Sequence, residues 1–134
     1  HIVKSIENDS IDDRFRKPIR TMVDSSLFEI VIKGMQEVVE DEELGTSNIA
    51  KMENITVCGK TGTAQNPHGE DHSIFIGFAP KDNPKIALAV YVENGGWGST
   101  WAVPIASLMI EKYLNDTIER DWLEKKIVEG VIEY

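Results

Sequence analysis

Gly59-Lys60-Thr61-Gly62-Thr63-Ala64-Gln65 is a polar segment at the end of a predicted strand. Lys60 supplies a fixed cation, and Thr61 and Thr63 share strand parity, so their hydroxyls face the same side. Gly62 places no side chain between them, which allows a ligand to approach the backbone closely. Such an edge can hold a carboxylate while its backbone pairs with an extended peptide. The segment therefore predicts a binding strand.

Two other interpretations of this segment stay open on these residues alone. Gly59-Lys60-Thr61 matches the end of a phosphate-binding P-loop, but that motif requires glycine where this chain has Asn54. It also requires a following helix, where Asn66-Pro67 predicts a turn. The segment equally fits an ordinary strand end, because three-residue motifs are weak evidence. The flanking sequence has to decide between a binding strand and a plain one.

Helix and strand patterns surround the segment. Ser26 and Glu29 have the spacing of a capping box, and apolar residues follow at helical spacing, which predicts a helix that stops by Gly45. We predict strands over residues 1–6, 19–23, 53–61, 73–79 and 85–93. Because residues 73–79 are almost wholly apolar, we expect that strand to be covered on both faces. A short turn joins it to 85–93 as an antiparallel hairpin.

Two more helices are predicted downstream. We expect Thr100 to cap a helix from Trp101 to Leu114, and Asp116 to cap another that ends near Glu129. The inward-facing residues should be Val103, Ala106, Ile110 and Tyr113 in the first, and Ile118, Trp122 and Ile127 in the second. The fold class is therefore α+β, an antiparallel sheet flanked by helices. Residues 1–116 would form the main unit, with 117–134 as a helical extension packed on it.

The composition excludes some classes of partner. The 134 residues carry a net charge of -9, and a nucleic-acid partner is not expected because phosphate backbones require a basic surface. No apolar run approaches the roughly 20 residues that cross a bilayer. Cys58 is the only cysteine, so an internal disulfide is impossible, and we expect a buried thiol.

The blocks around the polar segment resemble one family. K-T-G is part of the signature of penicillin-binding proteins and serine β-lactamases. Here the segment is followed by His72-Ser-Ile-Phe-Ile-Gly-Phe-Ala-Pro80, then Pro84-Lys-Ile-Ala-Leu-Ala-Val90 and Val92-Glu-Asn-Gly95. These blocks are similar to those of class B penicillin-binding proteins, in particular the penicillin-binding protein 2 type. The similarity covers roughly residues 1–115, so residues 1–116 resemble the C-terminal part of the transpeptidase domain.

The resemblance implies a serine-type peptidoglycan D,D-transpeptidase, which cross-links stem peptides through an acyl-serine and is acylated there by β-lactams. Lys60 would be the catalytic residue in this segment, and Thr61, Gly62 and Thr63 would bind the substrate carboxylate. The Thr63 N–H would be one of two oxyanion-hole donors. The implied parent is anchored in the inner membrane, with this domain in the periplasm, and works with other cell-wall synthesis proteins. No metal or other cofactor is expected.

The nucleophile motif of that family, S-x-x-K, is absent from these residues. No lysine lies three residues after Ser25 or Ser26, and Ser47 and Lys51 are four apart. Removal of the nucleophile removes the covalent route, so we expect this chain alone to be inactive. The alternatives are a β-lactamase or β-lactam sensor relative, or a non-catalytic peptide-binding module.

Several residues outside the polar segment also have candidate roles. His68, Glu70, Asp71 and His72 lie in a glycine- and proline-flanked loop, which favours a solvated loop over a metal site. Trp97 and Trp101 are expected to pin the turn before the second helix to the sheet. The strand 85–93 presents an apolar edge, so we expect it to pair with another copy or to be covered by residues 1–6 or 19–23.

Overall fold

The structure, a computed structural model, describes residues 20–132. The elements in chain order are helix α1 (Ser25–Glu40), a 3₁₀ turn (Asn48–Ala50), strands β1 (Cys58–Ala64), β2 (His72–Ala79) and β3 (Ile86–Val92), and helices α2 (Ala102–Asn115) and α3 (Asp121–Val128). The predicted α+β class is confirmed for this part of the chain, and so is the predicted order of helices and strands from α1 onward. The strand predicted over residues 1–6 lies outside the described residues.

The three strands form an antiparallel sheet in the order β1-β2-β3. Gly59 lies opposite Gly77 in the register of β1 and β2, and Phe75 lies opposite Val90 in that of β2 and β3. The Phe75 side chain is fully buried. A Cβ built on Gly59 would lie 2.1 Å from the Phe75 ring, and one on Gly77 would lie 2.7 Å from it. The ring therefore occupies the space that two glycines leave open.

β1 begins five residues later than the sequence predicted. Residues 53–57 precede the strand, although Ile55 and Val57 are buried in the core. The pairing of β1 starts at Cys58 because β2 ends at Ala79 and Pro80 follows it without an N–H to donate. The chain stays close beyond that point, since Lys81 N donates to Thr56 O at 2.9 Å.

Only one face of β2 is buried among the described residues. Ser73, Phe75 and Ala79 have no exposed surface, whereas Ile76, on the opposite face, is 49% exposed. The prediction of a strand covered on both faces is therefore wrong for residues 20–132. Apolar residues on both faces of a strand permit such coverage, but they do not show whether another helix or sheet packs on the second face.

Helix α1 is capped by Asp24 rather than by the predicted Ser26. The Asp24 carboxylate accepts hydrogen bonds from both the N–H and the hydroxyl of Ser26, which holds the pKa of Asp24 below its ordinary value. The strand predicted over 19–23 is wrong for residues 20–23, which are irregular with a bend. The described sheet consists of β1, β2 and β3, so residues 20–23 have no strand to pair with in this part of the chain.

Helix α2 differs from its prediction at both ends. Its N-cap is Trp101, with no side-chain cap hydrogen bond, so the assignment of Thr100 is wrong. Val103, Ala106 and Ile110 are fully buried as predicted, but Tyr113 is 60% exposed. Leu114 continues the buried stripe instead and packs on the core. Ile110 and Leu114 are four apart, and either spacing of three or four fits a helix face.

Helix α3 is shorter than predicted because Asp116 ends α2 rather than capping α3. Asp116 has a left-handed backbone, with φ of 58°, and α3 begins only at Asp121. The inward face of α3 is formed by Leu123, which is fully buried, and Trp122 is 60% exposed. The prediction that Trp122 faces inward is wrong. Ile118 and Ile127 are half-buried.

A buried ion pair ties the end of α2 to the start of α3. Glu111 is 3% exposed, and its carboxylate accepts from Arg120 Nε at 2.9 Å and from Glu119 N at 3.0 Å. Arg120 Nη1 also donates to Ile49 O at 2.8 Å. The pair therefore joins the end of α2 to the start of α3 and, through Arg120, to Ile49, which is 71 positions away in sequence. Loss of either partner would leave a buried charge without compensation.

We predict that Glu111→Ala lowers the free energy of unfolding by about 3 kcal/mol, because it leaves the Arg120 guanidinium without its carboxylate partner. The measurement is urea denaturation of the chain. Glu37→Ala is the matched control, since Glu37 pairs with Lys33 at 3.8 Å on the exposed side of α1 and should change stability by less than about 0.5 kcal/mol. Equal effects of the two substitutions would contradict this account.

Candidate functional site

The candidate site is built on β1, where Lys60 and Thr61 are held against each other. Lys60 Nζ donates to Thr61 O at 3.0 Å and to Thr61 Oγ1 at 3.3 Å. Lys60 is exposed and Thr61 is half-buried. β1 lies at one end of the described sheet, so its outer side has no partner strand among residues 20–132. The Lys60 ammonium and the Thr61 hydroxyl therefore lie side by side on a strand whose outer edge is unpaired among the described residues.

Thr63 and Gly62 continue the same strand. Thr63 lies opposite Ser73 and is exposed, and it shares the strand parity of Thr61, as predicted. Gly62 lies opposite Ile74, and a Cβ added to Gly62 would be 3.4 Å from Ile74 Cβ, an ordinary contact. The structure brings the four predicted residues together on one strand. A Cβ at position 62 would therefore fit sterically among the described residues, so packing alone does not require glycine there.

The loop between β3 and α2 lies directly on the candidate strand. A Cβ built on Gly98 would be 2.6 Å from Ile74 O and 2.8 Å from Gly62 O, which are backbone atoms of the sheet. Only a residue without a side chain can approach the strand pair this closely. Gly98 O also accepts from Val103 N at 3.0 Å in the first turn of α2. The loop thus joins the start of α2 to the strand.

Ser73 fastens the same loop from the neighbouring strand. Its hydroxyl donates to Trp97 O at 2.9 Å and accepts from Ala102 N at 3.1 Å, and the residue is fully buried. Because Ser73 lies opposite Thr63, the loop and the N-terminus of α2 are fixed next to the end of the candidate strand. A serine within an apolar strand thereby replaces the missing side-chain cap of α2.

The two tryptophans of this loop have different environments. Trp97 is 74% exposed, so the prediction that it pins the turn is wrong for its side chain, and its backbone carbonyl performs that task instead. Trp101 is half-buried, and its ring packs on Gly130, where a Cβ would lie 2.3 Å away. The Trp101 ring therefore packs on the segment after α3, whereas the prediction placed it against the sheet.

The loop after β1 is organised by hydrogen bonds. Asp71 Oδ1 accepts from Asn66 N at 3.1 Å, and Asn94 N donates to His72 Nδ1 at 3.1 Å. His68 and Glu70 are exposed. Within residues 20–132 no group of three or more His, Cys, Asp or Glu side chains has the arrangement of a metal site. These hydrogen bonds of Asp71 and His72 are made within the loop and with Asn94.

A cavity of about 390 Å³ lies apart from β1, between residues 51–55 and the segment 111–120. Its lining mixes the cations Lys51 and Arg120 with three carboxylates and contains no residue of β1. Arg120 Nη2 is buried and has no hydrogen-bond partner among residues 20–132. Because the lining carries charges of both signs, it favours neither an anion nor a cation, and the candidate functional site remains on β1.

A residue that the sequence did not mark also reaches the strand. Thr46 Oγ1 lies 3.1 Å from Thr61 Oγ1, although the two residues are 15 positions apart. Thr46 belongs to the segment between α1 and the 3₁₀ turn, where neither helical nor strand periodicity gives a signal. Only the chain reversal after α1 brings it to the site.

A known domain family matches most of this chain. The family model of the penicillin-binding protein transpeptidase domain matches residues 1–111. This chain belongs to that family. The match includes the strand with Lys60, Thr61 and Thr63, and it ends in the last third of α2. The resemblance drawn from the sequence blocks is confirmed.

Several relatives found by sequence carry peptidoglycan D,D-transpeptidase names. The chain is 33% identical over 137 residues to peptidoglycan D,D-transpeptidase MrdA of Haemophilus influenzae, with 88% of this chain and 21% of that protein covered. It is 32% identical over 110 residues to peptidoglycan D,D-transpeptidase PbpA of Mycobacterium tuberculosis, with 74% and 20% covered. The chain thus spans about a fifth of the length of these relatives.

Solved structures of the same family share this architecture. Pseudomonas aeruginosa PBP2 in complex with WCK 5153 matches with a TM-score of 0.64 and 34% identity, over 78% of this chain and 23% of that one. The imipenem acyl-enzyme complex of penicillin-binding protein A from M. tuberculosis matches with a TM-score of 0.52 and 32% identity, over 67% and 19%. The penicillin-binding protein 2 type of the resemblance is therefore supported by both sequence and structure.

We predict that Gly98→Ala destabilises the chain by about 1–3 kcal/mol, because the new methyl group meets two carbonyl oxygens of the sheet that cannot move aside. Unfolding in urea measures the effect. Gly34→Ala is the control, since a Cβ there meets nothing within 4 Å in the described part of the chain and alanine favours the helix by about 1 kcal/mol. A neutral Gly98→Ala would show that the loop does not rest on β1.

We predict that the Cys58 thiol resists alkylation in the folded chain. Burial raises the pKa of Cys58, and the residue has no exposed surface. Because the folded state holds this proton more tightly, the thiol's contribution to stability is lost as pH rises above its ordinary pKa. Iodoacetamide at pH 7.5 should react at least about tenfold more slowly than in urea. Equal rates, followed by mass spectrometry, would contradict the buried thiol.

Proposed function

We propose that this chain provides the substrate-binding strand of a serine-type peptidoglycan D,D-transpeptidase that cross-links stem peptides. The observation that supports the proposal is the grouping of Lys60, Thr61 and Thr63 on β1, whose outer side has no partner among the described strands. An extended peptide can add to such an edge by backbone hydrogen bonds. The names of the relatives supply the reaction class.

In this proposal the four residues of β1 divide the work. The Lys60 ammonium attracts the terminal carboxylate of the stem peptide and belongs to the polar network that moves the serine proton. The hydroxyls of Thr61 and Thr63 donate to the carboxylate oxygens. Gly62 leaves the backbone open to the peptide, and the Thr63 N–H donates to the oxygen that becomes negative in the transition state.

The nucleophile of the proposed reaction comes from outside these residues. The serine hydroxyl attacks the carbonyl carbon of the D-Ala-D-Ala peptide bond, the C–N bond breaks, and the terminal D-alanine leaves with the proton. The amine of a second stem peptide then displaces the serine oxygen and forms the cross-link. No S-x-x-K motif occurs within the 134 residues, which span about a fifth of the relatives' length.

β-Lactams are the second class of ligand in the proposal. The match to M. tuberculosis penicillin-binding protein A concerns an imipenem acyl-enzyme complex. A β-lactam carries a carboxylate next to its reactive amide, so Lys60, Thr61 and Thr63 would hold the drug as they hold the peptide terminus. The same strand would therefore determine recognition of both substrate and inhibitor.

The cellular setting of the proposed enzyme follows from its substrate. Stem peptides are cross-linked outside the inner membrane, so we place this domain in the periplasm of a membrane-anchored parent that acts with other cell-wall synthesis proteins. The helices of residues 20–132 include none with the length and hydropathy of a membrane span. Residues 117–134 form a helical extension of the same domain in this proposal, with Leu123 of α3 buried.

We predict that fluorescent penicillin labels the full-length chain that carries this segment and leaves residues 1–134 alone unlabelled, because covalent capture needs the serine. Lys60→Ala in the full-length chain should lower the labelling rate at least about 100-fold. Lys33→Ala is the matched control, since Lys33 lies on the exposed side of α1 and should label at the normal rate. In-gel fluorescence after timed exposure gives the rates.

Three results would contradict the proposal, each in a different way. If the folded full-length chain is not labelled, the covalent mechanism is wrong, and a non-catalytic peptide-binding module becomes the better description. If it is labelled and Lys60→Ala labels normally, the transpeptidase class stands but the role of β1 is wrong. Hydrolysis of the label within minutes would instead indicate a β-lactamase.

A further inference from the structure

We propose that Thr46 is a positioning residue that fixes the hydroxyl of Thr61 as a donor toward the ligand carboxylate. This inference rests on the proposed function of β1 and adds a residue to it from a different segment of the chain. The observation is the 3.1 Å distance between Thr46 Oγ1 and Thr61 Oγ1.

Because the Thr61 hydroxyl forms few hydrogen bonds, its neighbours determine which group receives its proton. A threonine hydroxyl has one proton to donate and two lone pairs that accept. Lys60 Nζ, 3.3 Å away, carries only donors, so Thr61 Oγ1 accepts from Lys60. The remaining lone pair and the single proton of Thr61 are then shared between Thr46 and whatever ligand binds at the strand.

Thr46 satisfies that remaining lone pair when it acts as the donor. Either hydroxyl of the pair is able to donate at this distance. When Thr46 donates, both lone pairs of Thr61 are occupied and its proton is free for a carboxylate. When Thr61 donates instead, its proton points at Thr46 and is lost to the ligand. An incoming anion selects the first arrangement, because hydrogen bonds to charged acceptors are the stronger ones.

Thr46 is held in place by the backbone on both of its sides. Gly45 N donates to Asp41 O at 3.0 Å, and Ser47 N donates to Val38 O at 3.0 Å at the end of α1. The Asn48 side chain also donates to Val39 O at 3.1 Å. Thr46 itself is exposed while Ser47 is 1% exposed. The hydroxyl is therefore presented by a fixed segment, which is the condition for orienting a neighbour.

A positioning role for Thr46 predicts that its substitution slows acylation only by a β-lactam that carries a free carboxylate, which a merely structural contact would not. In the full-length chain, we expect Thr46→Val to lower the second-order rate of acylation by benzylpenicillin about three- to tenfold, the effect of one lost hydrogen bond. The rate with benzylpenicillin methyl ester, which lacks the anion, should change less than about twofold. Thr46→Ser should restore the normal rate, because it keeps the hydroxyl.

A double substitution tests the route through Thr61. In a Thr61→Val chain, the additional change Thr46→Val should have no further effect beyond about twofold, because the two residues act through one hydroxyl. Thr117→Val is the matched control: Thr117 is an exposed threonine in the loop after α2, and it should acylate at the wild-type rate. Thermal unfolding of each variant verifies folding, and Thr46→Ala replaces Thr46→Val if valine prevents folding.

The outcomes distinguish this inference from the function on which it rests. If wild-type chain is not acylated, the proposed transpeptidase function fails and the role of Thr46 fails with it. If wild-type chain is acylated and the Thr46 variants match it, only the inference is overturned. Equal losses with the acid and the ester also overturn it, because Thr46 would then support the fold rather than carboxylate binding.

Discussion

The pairing of β1 with β2 depends on the contact of one aromatic ring with two glycines. Phe75 is fully buried, and its ring fills the space beside Gly59 and Gly77, which face each other across the two strands. A shift of one residue would bring Lys60 to the position of Gly59, under the ring. A lysine stem does not fit a space where even a Cβ would lie 2.1 Å from the ring. The aromatic core therefore fixes the register of the strand that carries the site.

Tertiary contacts from two sides then fix the surroundings of that strand. On one side Ser73 and Gly98 hold the β3–α2 loop against β1 and β2. On the other side the segment after α1 returns to the sheet and places Thr46 next to Thr61. The site is thus a strand edge with neighbours that are anchored by buried groups, and such support from outside the first contacts is what gives a binding group its orientation.

The family membership and the structure explain different properties of the chain. The match over residues 1–111 places it among penicillin-binding protein transpeptidase domains. The geometry of β1 explains how its lysine and threonines present charge and hydroxyls at an edge. The ion pair between Glu111 and Arg120 has a separate role, because it joins α2 to the segment before α3 at and beyond the end of the family match.

The sequence by itself determined the fold class, the element order and the four residues of the candidate strand. These follow from local information: apolar periodicity, the turn at residues 80–84, and a lysine–threonine segment within diagnostic blocks. It also marked Phe75 and Cys58 as members of strands with apolar neighbours. Each of these signals lies within a few residues of the feature that it predicts.

The tertiary structure decided what depends on contacts between distant residues. Tyr113 and Trp122 have apolar helical spacing, yet they are exposed because Leu114 and Leu123 take the inward positions. The cap of α2 comes from Ser73, 29 residues away, instead of Thr100. Thr46 reaches Thr61 only through the chain reversal after α1. Periodicity reports which faces are apolar, but packing chooses which residues are buried and which polar groups meet.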